Sequence, residues 1–234
     1  MIIFLGDSFT WGQGISFERW ILEENKTPQV CNQFLPAGQF EQELFSYKDD
    51  MFRKQYHFPN LVAKHFDSSY VTQFGNGGTN KNISKMLLNL GNQFGSNIRR
   101  SVKFFVIQFT DFGRSLDGGE MIIDDFETIM ETQVHEIDKN CKHWGLEWYG
   151  FSWRSDIGEV LQTKYKQNYI PLIYNNKEYN NFGDILDLEN NLSIKKKYNN
   201  LLSDEHFSIN GHEFIAKNII SKIEKVSNPK LFKN

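Results

Sequence analysis

Cysteine is nearly absent: the 234 residues hold two, Cys31 and Cys141. Neither stands in a Cys-x-x-Cys pair or beside a histidine at zinc-binding spacing, so neither a disulfide framework nor a metal site is expected. Reduced thiols in a reducing, cytoplasmic compartment fit better. Long apolar runs are missing too. No stretch approaches the roughly 20 apolar residues that span a bilayer. The run Met1–Leu5 leads straight into Gly6-Asp7-Ser8, with no basic segment or signal peptide ahead of it. Positive charge is not in excess either: 26 Lys and Arg face 29 Asp and Glu, a net charge of -3. No global field therefore draws nucleic acid or anionic lipid. Lys195, Lys196 and Lys197 form the one dense basic run and read as a solvated face. The chain also lacks a P-loop lysine and a Gly-x-Gly-x-x-Gly turn, which leaves Gly75–Gly78 poorly equipped as a nucleotide cradle.

Aromatic residues are plentiful, at 15% with 21 Phe, and the chain is long enough to bury a substantial core. Met1–Leu5 and Val102–Phe109 are continuous apolar runs, and Leu146–Trp153 is an aromatic version of the same pattern. Such runs suit parallel strands covered on both faces. Tyr70–Phe74 is a fourth candidate. Tyr169–Tyr174 is a fifth, which Pro171 confines to an edge. Apolar residues recur at helical spacing over Pro59–Phe66, Asn82–Phe94, Met121–His143 and Gly211–Val226. Strands alternating with helices predict a doubly wound α/β sheet in one domain. Residues 14–56 and 157–202 break the alternation. They read either as lid segments or as surface insertions, with Asn175-Asn176 and Asn190-Asn191 as turn signals.

Ligands of an open parallel sheet bind beyond the carboxyl ends of its strands. Ser8 stands at such an end, directly after the first apolar run. A serine nucleophile needs a base within hydrogen-bond reach, and His206, just ahead of the last amphipathic stretch, is the candidate. Asp204, two residues earlier, is the nearest carboxylate to orient it. A backbone carbonyl is the alternative. His212 reads as structural, and His65, His135 and His143 as surface or partly buried residues.

The segment Gly6-Asp7-Ser8-Phe9-Thr10-Trp11-Gly12-Gln13-Gly14 resembles the first block of the SGNH (GDSL-like) hydrolases. Asp204-Glu205-His206-Phe207-Ser208-Ile209-Asn210-Gly211-His212 resembles their last block, with Gly-His five and six residues after the catalytic histidine. Gly75–Asn80 is similar to the glycine block. At Gln108-Phe109-Thr110-Asp111 the chain departs from the family's Gly-x-Asn-Asp, with Thr110 in place of the asparagine. The resemblance implies a three-layer α/β/α sandwich with about five parallel strands and an acyl-enzyme mechanism without metal or cofactor. It makes Ser8 and His206 catalytic residues; the family's aspartate stands three residues before the histidine, where this chain has Ser203, and Asp204, the nearest carboxylate, takes the third catalytic place. The oxyanion donors would be Ser8, Gly78 and Thr110, with Asn76 or Asn80 as substitutes. Asp7, Asn80 and Arg114 would lie against substrate. A small acyl or acetyl ester, on a carbohydrate or another small alcohol, is the expected substrate. A binding protein that kept the fold after losing the asparagine donor is the other reading.

Overall fold

The computed structural model describes residues 1–33, 46–74, 80–110, 126–186 and 188–227. Of Ser8, Trp11, Phe74, Lys81 and residues 126–130 it describes the backbone alone. The chain runs β1 (Ile2–Gly6), α1 (Ser8–Trp11), α2 (Gln13–Glu23), α3 (Pro28–Asn32), α4 (Tyr47–Tyr56), α5 (Phe58–His65), β2 (Tyr70–Phe74) and α6 (Asn80–Phe94). It continues through α7 (Ile98–Ser101), β3 (Phe104–Phe109), α8 (Phe126–Trp144), β4 (Glu147–Ser152) and α9 (Ser155–Lys164). A small hairpin, β5 (Leu172–Tyr174) and β6 (Lys177–Tyr179), precedes α10 (Gly183–Leu186), α11 (Ile194–Lys197) and α12 (Ile209–Ser227).

Four parallel strands make the main sheet among the described residues, in the order β2-β1-β3-β4. Every residue of β1 and β3 is buried, as continuous apolar runs require when helices cover both faces. Alternation of side chains across the pleat divides the core in two. Ile2, Phe4, Val106 and Phe151 pack with Phe58 and Val62 of α5 and Ile215 and Ile219 of α12. Ile3, Leu5, Ile107 and Trp148 face the other way, onto Leu87 of α6, Ile137 of α8 and Leu161 of α9. The result is the three-layer α/β/α sandwich.

One expectation changes. The fifth strand reduces to a single parallel bridge between Gly150 and Tyr169, closed by hydrogen bonds of 2.9 and 2.8 Å. Pro171 has no N–H to continue the ladder, and the chain turns into β5. The turn of that hairpin is Asn175-Asn176, both residues in the left-handed region at φ 48° and 62°, as a primed two-residue turn demands. Within residues 14–56, read above as a lid segment or a surface insertion, the described residues form helices α2, α3 and α4. The first two turns of α2 are buried, and its Phe17 and Trp20 form a third apolar cluster with Cys31, Ile194 and Leu202. Cys31 and Cys141 are both buried free thiols.

Candidate active site

The strand order reverses at β1, whose neighbours β2 and β3 are reached in opposite directions. Such a switch point opens a crevice at the carboxyl edge between β1 and β3. Ser8 opens α1 immediately beyond the end of β1, and Thr110 follows the end of β3. These two candidates therefore flank the crevice because of topology alone.

The turn carrying Ser8 is held from both sides. Asp7 is buried, and its Oδ1 accepts the Phe9 N–H at 2.9 Å. The Thr10 hydroxyl donates to Gln108 Oε1 at 2.9 Å, tying the turn to β3. The segment holding His206 arrives from the far end of the chain. Asp204 Oδ1 contacts His206 Nδ1 and also accepts the His206 backbone N–H at 3.0 Å. Phe9, next to Ser8, stacks on the His206 ring with centroids 4.3 Å apart and planes 29° apart. That ring contact brings the Ser8 segment and the His206 segment together.

Helix α2 locks the two segments in register. Gly12 begins it at φ 90°, a left-handed conformation costly for any side chain. Gln13 Nε2 then donates to Asp204 Oδ2 at 3.4 Å. Gly14 lies so close to the His206 loop that a Cβ would stand 2.3 Å from the Phe207 carbonyl oxygen. One turn on, the buried Glu18 accepts the Ile209 N–H at the start of α12 and pairs with Lys197. Burial raises the Glu18 pKa, against the pull of Lys197. From the other side, Ile194 N–H donates to the His206 carbonyl at 3.0 Å and Ser208 N–H to that of Leu192 at 2.9 Å.

The overall likeness is to a known enzyme fold. A solved structure of a carbohydrate esterase, whose active site displays divergent catalytic and non-catalytic binding functions, aligns over 96% of this chain at 18% identity and TM-score 0.52. The chain spans 64% of the length of that esterase. At this identity the likeness establishes the fold. No family model and no curated protein matches the sequence.

The remaining sequence candidates fall in three groups. Asn80 is fully buried and bound to the Thr110 main chain: Oδ1 accepts Thr110 N–H at 3.0 Å, and Nδ2 donates to the Thr110 carbonyl at 3.2 Å. Its amide thus sets the position of Thr110. Gly78, Arg114 and Asn76 lie outside the described residues. His212 is buried with Nδ1 accepting the Phe58 N–H at 3.2 Å, and burial together with His57 and His206 holds its pKa well below 6.5. Phe9 and Gln13 were legible only as parts of the first block. Their contacts, like those of Trp153, whose ring lies 4.2 Å from that of Phe9, depend on segments distant in sequence. Among the described residues there is no metal-ligand cluster and no helix long and apolar enough to cross a membrane.

Proposed function

We propose that this chain is a serine esterase that cleaves a small acyl ester through an acyl-enzyme. The observation that carries the reading is the Asp204–His206 pair stacked on Phe9, the residue that follows Ser8, at the crevice of an α/β sheet. With Nδ1 on Asp204, proton transfer falls to Nε2 of His206. Ser8 Oγ attacks the acyl carbon as its proton passes to Nε2. The tetrahedral intermediate expels the alcohol, which takes that proton. Water then repeats the cycle and releases the acid. The oxyanion is met by the N–H groups of Ser8 and Gly78 and by the Thr110 hydroxyl. Asp7 holds the turn, Asn80 acts through Thr110, and Arg114 remains a candidate for substrate contact.

A second reading has a specific observation in its favour. Thr110 stands where the resembled family carries an asparagine donor, and the nearby Asn80 amide is engaged by backbone. Loss of one oxyanion donor costs about 10²–10³ in turnover, which is how such a fold becomes a binding protein. Hydrolysis of p-nitrophenyl acetate and butyrate by wild type and Ser8→Ala, with folding checked by circular dichroism, separates the two. Activity that vanishes in folded Ser8→Ala supports the esterase. Equal rates in both proteins, or none in either, transfers the case to the binding protein.

A further inference from the structure

Three aromatic rings adjoin one another at the carboxyl edge of the sheet. Trp153, directly after β4, stands 4.2 Å from Phe9 with a tilt of 38°. Phe9 in turn stands 4.3 Å from His206 with a tilt of 29°. Resting on the esterase reading, we propose that Phe9 is a positioning residue whose ring face stabilises the positive charge that His206 carries in the transition state.

That charge belongs to one stage of the reaction. As Ser8 Oγ bonds to the acyl carbon, its proton passes to Nε2 of His206. The ring is then an imidazolium until the departing alcohol takes the proton. The face of a phenyl ring is the negative part of its quadrupole, so it attracts a cation within about 6 Å. A neutral imidazole gains dispersion from the same contact and little else. The extra attraction therefore exists only while the ring is charged, and an interaction stronger in the transition state than in the ground state accelerates the reaction. Asp204 meets this charge at the edge of the imidazole, through Nδ1. Phe9 meets it on the face.

Burial and restraint set the size of the effect. Phe9 is 5% exposed and the His206 side chain 15%. Little water competes for the contact, and desolvated cation–ring pairs are the stronger ones. Phe9 is also kept from turning its positive rim towards His206. Trp153 packs on its ring, Phe207 stands 5.0 Å from it, and its N–H is held by Asp7 Oδ1.

The charged and titratable groups on the surrounding elements stay constant when Phe9 is replaced. Asp204 lies on the same loop as His206, and Glu205 there is paired with Lys195 of α11. His212 of α12 interacts with His206 and is held neutral by burial. Glu18 of α2 is paired with Lys197 of α11. Asp7 precedes Ser8, and Arg154 follows β4. A neutral replacement at Phe9 thus alters what the ring face presents and no formal charge.

The test grades the ring face without changing its shape. Phe9 is replaced by mono-, di- and trifluorinated phenylalanine, which drain the ring face stepwise, and by leucine in Phe9→Leu. Protonation of the His206 ring is followed by NMR in the free proteins, its signal assigned by its loss in His206→Asn. The midpoint of that titration is expected to step to lower pH with each fluorine, and to fall by about half to one pH unit in Phe9→Leu. With p-nitrophenyl acetate, kcat is expected to fall in the same order, about three- to tenfold in Phe9→Leu, with KM little changed. If Phe9→Leu does not fold, the fluorinated proteins decide alone. A midpoint that stays at the wild-type value through the fluorinated series overturns the proposal, even where Phe9→Leu loses activity, because that pattern is packing alone. Failure of the esterase reading is distinguishable: the midpoint would still step with fluorination, and no hydrolysis would depend on Ser8.

Discussion

Gln13 and Asp204 are 191 residues apart in sequence, yet the Gln13 amide donates to the carboxylate oxygen of Asp204 that does not contact His206. Both side chains are buried. The segment that carries Ser8 thereby steadies the carboxylate paired with His206. An amide-to-carboxylate hydrogen bond contributes about 1.5–3 kcal/mol, and at 3.4 Å this one belongs at the low end, so Gln13→Ala should lower kcat roughly tenfold with little change in KM. Gln13→Glu sets a second carboxylate beside the Asp204–His206 pair. It favours protonated imidazole, so the acid limb of the kcat/KM profile should move to higher pH. A folded Gln13→Ala protein with wild-type kcat would show that Asp204 needs no such support.

Asn80 closes two hydrogen bonds to the Thr110 backbone inside the protein. Asn80→Ala leaves a buried N–H and a buried C=O without their partner, at about 1–3 kcal/mol for each. A fall in Tm of several degrees is expected, since 1 kcal/mol corresponds to about 2–4 °C in a chain of this size. Asn80→Asp keeps the acceptor and loses the donor, and should fall between the two. Thermal unfolding followed by calorimetry reads both. Equal Tm values in all three proteins would contradict the assignment.

Gly14 has no room for a methyl group against the Phe207 carbonyl. Gly14→Ala must push α2 from the His206 loop and should cost about 1–3 kcal/mol, as overpacking does. The displacement should also reduce turnover, because Gln13 travels with it. A Gly14→Ala protein with unaltered Tm and activity would refute the close approach.

His212 links stability to pH. Its pKa in the folded protein is below the ordinary 6.5, first because of burial and then because of His57 and His206. The folded state therefore prefers the neutral ring. The corresponding stability is present above about pH 6.5 and is lost as pH falls towards the folded value. His212→Asn preserves an acceptor for the Phe58 N–H and cannot titrate. The Tm of wild type should drop more steeply than that of His212→Asn between pH 7 and 5. Parallel curves would place the acid sensitivity elsewhere.

Much of the fold was visible in the residue pattern. The runs of β1, β3 and β4 are largely apolar on both faces because helices cover both, and their shortness and continuity mark such segments. Helices α6 and α12 carry apolar stripes and were equally readable. Helix α2 was not. Gln13, Ser16, Glu18 and Arg19 are polar and buried, which erases the stripe. Arg19 is compensated by Asp49 at 2.6 Å, and Glu18 by Lys197 and the Ile209 N–H. Those partners come from elsewhere in the chain, and no local window contains them.

The sequence by itself determined the α/β class, the placing of Ser8 at a strand end, and the choice of His206 and Asp204 as a pair, because each rests on neighbours a few residues away. Tertiary structure alone decided that Phe9 stacks on His206, that Gln13 reaches Asp204, and that Asn80 serves the Thr110 backbone. Among the described residues it also ended the ladder at β4, with one bridge beyond it. Each of these is a contact between distant segments, fixed by which faces the packed layers bring together and by which buried polar atoms must find a partner.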